Sequence, residues 1–148
     1  MKTTGDITLV APCGTHCADC GAYKVKDAPS MREAVAKRLQ NLQINWKGVP
    51  CPGCRSVGGN CQFIDGICAT YTCVTGRGLD FCFECPDFPC AKLNPAADWA
   101  DVLPHNIKLF NLCCIKEQGL ANWLEKASEI RQRYYQGKMI IGKGPQLE

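Results

Sequence analysis

Forty consecutive positions, 51–90, carry eight cysteines, six glycines and three prolines, against nine valine, isoleucine, leucine or phenylalanine residues. Glycine and proline at that density predict turns rather than long regular elements. So little aliphatic surface cannot offset the entropy of ordering the backbone, roughly 1–2 kcal/mol per residue. A structural zinc ion contributes on the order of 10 kcal/mol in small domains. The segment is therefore expected to need metal to stay folded.

Eleven of the thirteen cysteines in the 148-residue chain lie between residues 13 and 90. They read Cys13-x3-Cys17-x2-Cys20, Cys51-x2-Cys54, then Cys61, Cys68 and Cys73, then Cys82-x2-Cys85-x4-Cys90. Thiols spaced this closely can close on one ion through a single tight turn, as zinc knuckles and iron–sulfur loops do. The competing disulfide reading leaves one cysteine over, because the count is odd. The N-terminal sequence has only a five-residue apolar run at 7–11, without a signal-peptide core or cleavage site. No stretch approaches the roughly 20 apolar residues of a membrane span. These features point to a reducing cytoplasm, where such thiols are better explained by metal. Leu147-Glu148 resembles the scar before a purification tag.

The formal charge of +3 does not by itself imply a polyanion partner. Within 51–90 two arginines (Arg55, Arg77) face four acidic residues (Asp65, Asp80, Glu84, Asp87), so the knuckles are locally acidic. A module that grips phosphates carries its lysines and arginines there, which disfavours nucleic acid as a partner. The basic excess falls instead on Lys24, Lys26, Arg32, Lys37, Arg38 and Lys47, mostly along a predicted helix with a solvated face.

Outside the cysteine-rich centre, periodicity predicts a mostly α chain. Residues 7–11 suit a short strand, and 17–26 a short helix with Cys17, Cys20 and Lys24 on one face. Ser30 and Glu33 form a capping box, opening a helix to about Leu42 whose Met31, Val35, Leu39 and Leu42 should face the core. Asn94-Pro95 starts another helix that Pro104 stops. The next, 104–118, turns Ile107, Phe110, Cys114 and Ile115 inward and ends at Gly119. The last, to about Tyr135, repeats Leu120, Trp123, Leu124, Ala127, Ile130 and Tyr134. These two make an αα-hairpin expected to pack on the helix at 30–42, and 137–148 reads as a tail.

Cys51-Pro52-Gly53-Cys54 is the strongest single motif, since glycine between the thiols permits a turn aiming backbone N–H groups at sulfur. It can pair with Cys82-x2-Cys85, giving C-x2-C-x27-C-x2-C, or with Cys68-x4-Cys73; spacing does not choose. The spacing of Cys13, Cys17 and Cys20 is also that of radical S-adenosylmethionine enzymes, but the strand–helix repeats of their barrel are missing. Zinc or a cluster on those three thiols would need a fourth ligand, for which Cys90 is the natural candidate. His16 suits either a ligand or a histidine that merely supports ligands, and His105 a surface position. Cys113 and Cys114 are expected to pack in a core, and Cys61 is ambiguous. No catalytic constellation emerges: two histidines limit any cysteine–histidine pairing, and Val57-Gly58-Gly59-Asn60 lacks the lysine of a phosphate loop.

Ala11-Pro12-Cys13-Gly14 with Cys17, Asp19-Cys20 and Ala22-Tyr23 resembles the opening of the small cysteine-rich prokaryotic proteins classed as domain of unknown function 3795. Cys51-x2-Cys54-Arg55, Cys68-x4-Cys73, the block from Phe81 to Cys90, and Ile115–Gly119 with Trp123-Leu124 carry the same likeness. The resemblance spans about 10–125. It implies ten metal ligands, Cys13, Cys17, Cys20, Cys51, Cys54, Cys68, Cys73, Cys82, Cys85 and Cys90, and no established activity. Cys61, Cys113 and Cys114 fall outside that pattern.

The expectation is one domain over 1–136, its metal-binding part at 10–94 and its helical part at 95–136. A turn-rich, metal-stabilised centre packs on a helical hairpin and an N-terminal helix, with a small α+β arrangement as the alternative. The expected cofactor is zinc, one or two ions, and the role that of a structural-zinc interaction module with a protein partner. An iron–sulfur redox protein and a thiol-based metal sensor or carrier are the alternatives.

Overall fold

A computed structural model describes residues 5–93 and 105–147. Among them are five α-helices: α1 (Gly21–Lys24), α2 (Arg32–Asn41), α3 (Ala69–Gly76), α4 (His105–Gln118) and α5 (Leu120–Gln136). Two short antiparallel strands follow, β1 (Lys138–Ile140) and β2 (Gly144–Gln146), paired Lys138 to Gln146. The protein is mostly α, as its periodicity predicts. No helix among the described residues is long and apolar enough to cross a membrane. The helix expected from Asn94 to Pro104 lies outside the described residues.

The main core forms where α4 and α5, joined at Gly119, meet the cysteine-rich centre. Leu112, Ile115, Leu120, Trp123, Ala127 and Ile130 of the hairpin pack with Val10, Val74, Phe81, Cys82 and Leu93. Trp123 and Phe81 are fully buried, each removing a large aromatic surface from water. α4 also packs on the 3-10 segments Cys82–Glu84 and Ala91–Leu93. The Arg55 side chain stitches this layer, donating to the Val10 and Asp80 carbonyls at 2.7 and 2.6 Å. A smaller core holds Ala22, Val25, Trp46 and Cys51, with Val35, Ala36 and Leu39 of α2 against it.

Several local expectations give way to tertiary contacts. Residues 7–11 form no strand: Ile7–Leu9 is a 3-10 turn capped by Asp6, and Val10 makes an isolated bridge to His16. The stretch 17–26 divides into a 3-10 turn, Cys17–Asp19, and the short α1. The Ser30–Glu33 capping box does not form, because Pro29–Met31 is a 3-10 turn and α2 starts behind it with Met31 as N-cap. The α2 stripe is peripheral, with Met31 41% exposed and no residue of α2 fully buried. Phe110, expected inside, is 47% exposed. The hairpin's apolar face is taken by residues 79–93 rather than by α2, which faces α5 across a polar cavity. Residues 137–146 are not a plain tail but the β1–β2 hairpin, whose second strand packs on α5. α3, inside the stretch read as turns, is an element the periodicity missed.

Candidate metal centre

All thirteen cysteines are free thiols, and ten candidate ligands divide between two neighbourhoods. The division follows contacts remote in sequence.

In the first neighbourhood, Cys17 is buried and feels Cys13, Cys20 and Cys51. Cys54 feels Cys13, Cys17 and Cys68. The Cys51-Pro52-Gly53-Cys54 turn comes to Cys17 with Gly53 at φ +98°, a conformation side chains resist, and a β-carbon on Gly53 would lie 3.8 Å from that of Cys17. Cys51 is anchored by its backbone N–H to the Ala22 carbonyl at 2.8 Å, and Cys68 by its own to Gly59 at 3.0 Å. Backbone N–H groups of Gly53 and Cys54 act on the sulfurs of Cys51 and Cys17, the arrangement the glycine predicts.

Burial sets the protonation of these thiols. It pushes Cys17 up to about 11, against the pull of the Cys54 backbone, with the neighbouring thiols adding to the rise. Burial likewise pushes Cys54 up to about 12. Cys51 goes the other way, downward, chiefly through the Cys61 thiol beside it, while Cys61 is pushed upward by that same contact. Cys61, which spacing alone left ambiguous, is therefore part of this neighbourhood. Its position in the loop that returns to Trp46 and Val49 carries no periodic signal.

In the second neighbourhood, Cys73, Cys82, Cys85 and Cys90 line one cavity of about 260 Å3. Its accessible wall is mostly apolar, with Val74, Leu79 and Phe88 lining it beside Thr70, Arg77, Asp87 and Lys92. α3 supplies Cys73, the 3-10 turn Cys82–Glu84 supplies Cys82, and the chain beyond brings Cys85 and Cys90 back. That turn is held by Glu84, whose carboxylate accepts from the Asp80 and Phe81 backbone N–H groups at 2.7 and 2.8 Å. Two cations sit on the rim. Arg77 donates to the Cys85 sulfur at 2.8 Å, and Lys92 Nζ lies 3.5 Å from the Cys73 sulfur. Burial pushes the Cys82 thiol up to about 11, with Cys90 and Cys13 reinforcing it. Cys13 is thus the thiol felt by both neighbourhoods, and the Cys82 backbone N–H bonds to the Pro12 carbonyl at 3.0 Å beside it.

Cys90 lies with Cys73, Cys82 and Cys85 rather than with Cys13, Cys17 and Cys20. The Cys51/Cys54 turn stands with the first group and not with Cys82/Cys85; Cys68 and Cys73 fall on opposite sides. Among the described residues no three His, Cys, Asp or Glu side chains converge on a position for a single ion.

His16 Nδ1 donates to Asp19 Oδ2 at 2.9 Å, and the His16 ring meets Trp123 edge-on at 5.4 Å. Asp19 is pushed up by burial, but hydrogen bonds from His16, Ser128 and Lys24 outweigh this and hold its carboxyl well below the usual range. Cys113 is exposed, contrary to the expected core position, while Cys114 packs partly against the main core. On a helix, adjacent residues face different sides, and only one can turn inward.

The family described as "Protein of unknown function (DUF3795)" matches residues 9–95, a range that holds all ten candidate ligands and Cys61. No curated protein and no solved structure matches the chain.

Proposed function

Because the chain belongs to this family of proteins of unknown function, we propose its role from its own geometry: an iron–sulfur protein acting in one-electron transfer. The observation that carries the reading is the set of four cysteines around one apolar cavity of about 260 Å3. A zinc ion holds its sulfurs at about 2.3 Å, which draws four thiolates together and leaves no such space. A polynuclear cluster needs four thiolates spread around a larger volume. The residues fit that group: Cys73, Cys82, Cys85 and Cys90 as ligands, apolar walls, and cationic donors on two sulfurs. When bound, such a group supplies a reversible one-electron couple.

The chain's own residues do the rest. Val74, Leu79 and Phe88 line the cavity beside the sulfurs and reduce their contact with water. Arg77 and Lys92 offset negative charge there, and Asp87 orients Arg77 at 3.0 Å. Cys85 and Cys90 are only half-buried, so the centre lies near the surface, where a partner's redox group can approach. Cys13, Cys17, Cys20, Cys51, Cys54 and Cys68 are the ligand pool of a second centre, with Cys61 beside it.

Anaerobic purification followed by absorption spectroscopy and iron, sulfide and zinc analysis tests this. The expected sample is brown, with iron and sulfide in equal amounts, and Cys73→Ser or Cys90→Ser lowers both. A colourless protein with stoichiometric zinc overturns the cluster and returns the chain to the structural-zinc reading.

A further inference from the structure

A second cavity, polar and about 360 Å3 in volume, opens between α1, α2 and α5 beside Asp19. Lys24, Arg38 and Arg131 reach it from three different helices. Its one carboxylate, Asp19, is already satisfied, by His16 at 2.9 Å, Ser128 at 2.9 Å and Lys24 at 3.2 Å. The cavity therefore keeps a net positive lining.

Neither Arg38 nor Arg131 pairs with a carboxylate among the described residues. Arg131 is held instead over the Tyr135 ring, 4.9 Å from its centre, which fixes the guanidinium plane. Two guanidiniums without a carboxylate partner thus line one space. The guanidinium fork matches the oxygens of a carboxylate or phosphate two at a time. The volume falls at the small end of ordinary ligand pockets, about 300–1,000 Å3.

We propose that this cavity binds a small oxyanion, a phosphate monoester or a dicarboxylate, through Arg38 and Arg131. The site is separate from the cysteine cavity and does not depend on what that cavity holds.

Titration calorimetry on the full-length protein as purified, with inorganic phosphate, glycerol 3-phosphate and succinate as separate probes, tests it. Saturable binding of at least one probe is expected; preference for the phosphates or for succinate identifies the ligand's acid group. Arg38→Gln with Arg131→Gln should weaken binding at least tenfold, roughly the loss of one charge-assisted hydrogen bond. Lys138→Gln, on β1, should change nothing. The proposal is overturned if none of the probes saturates, or if the double arginine variant binds as the unaltered protein does.

Discussion

The Arg77 guanidinium donates to the Cys85 sulfur at 2.8 Å, and the same nitrogen reaches Asp87 at 3.0 Å. A cation on a ligand sulfur stabilises the more negative, reduced state of a centre. Arg77→Gln should therefore lower the reduction potential by on the order of tens of millivolts, 59 mV being tenfold for one electron. Asp87→Asn, which frees Arg77 to serve the sulfur alone, should raise it. Protein-film voltammetry measures both, and equal potentials in all three proteins would remove Arg77 from the account.

The thiols of Cys17, Cys54 and Cys82 stand at about 11, 12 and 11 without metal, above the ordinary value near 9. A group raised on folding contributes stability below its unfolded pKa and loses it as pH climbs through the folded one. These three thiols should thus cost the chelated protein stability between about pH 9 and 12, whereas the lowered Cys51 thiol acts the opposite way below pH 9. Metal binding runs the opposite way, because each ligand must shed its proton. Proton release in weakly buffered titrations, rising affinity with pH and a falling apo Tm should appear together.

Metal removal should act unevenly. Residues 51–90 enclose two sulfur neighbourhoods, while α4 and α5 bury Leu112, Ile115, Trp123 and Ala127 against each other and the centre. Hydrogen exchange after chelation is expected to accelerate across 51–90 and much less in the hairpin. Unchanged protection at 51–90 would mean the apolar contacts of Val74 and Phe81 suffice there.

Gly14 sits at φ +85°, and a β-carbon there would fall 2.7 Å from the Lys108 carbonyl of α4. Its own carbonyl accepts from the buried Asn111 amide at 2.7 Å. Gly14→Ala and Asn111→Ala should each destabilise by about 1–3 kcal/mol, the first by strain and the second by orphaning a buried acceptor. Because both act on one contact, the double variant should lose less than the sum in urea melts.

Cys61 lies beside Cys51 and holds its thiol below the ordinary value. In chelated protein at pH 7, iodoacetamide should modify Cys51 ahead of Cys54, whose thiol burial raises. Cys61→Ala should shift the pH midpoint of Cys51 labelling upward. Mass spectrometry of the labelled peptides reads both, and an unshifted midpoint would separate the two thiols.

Much of this protein is local and so was legible in the sequence. The 3.6-residue repeat from Leu120 to Ile130 and the joint at Gly119 specify the αα-hairpin, because helix period and backbone freedom are properties of neighbouring residues. The turn at Gly53 and the cysteine-rich, aliphatic-poor composition of 51–90 are local too. Which thiols meet is not local. Cys90 joins Cys73 because α3 and the Cys82–Glu84 turn both pack on Phe81, Leu93 and the hairpin, and Cys51 joins Cys17 because its N–H finds the Ala22 carbonyl. The capping box at Ser30 lost to Pro29, and the α2 stripe lost its partner when residues 79–93 covered the hairpin. Spacing names the sulfurs that can bind. Burial of Phe81 and Trp123, a contact between segments about forty residues apart, decides which of them share a cavity.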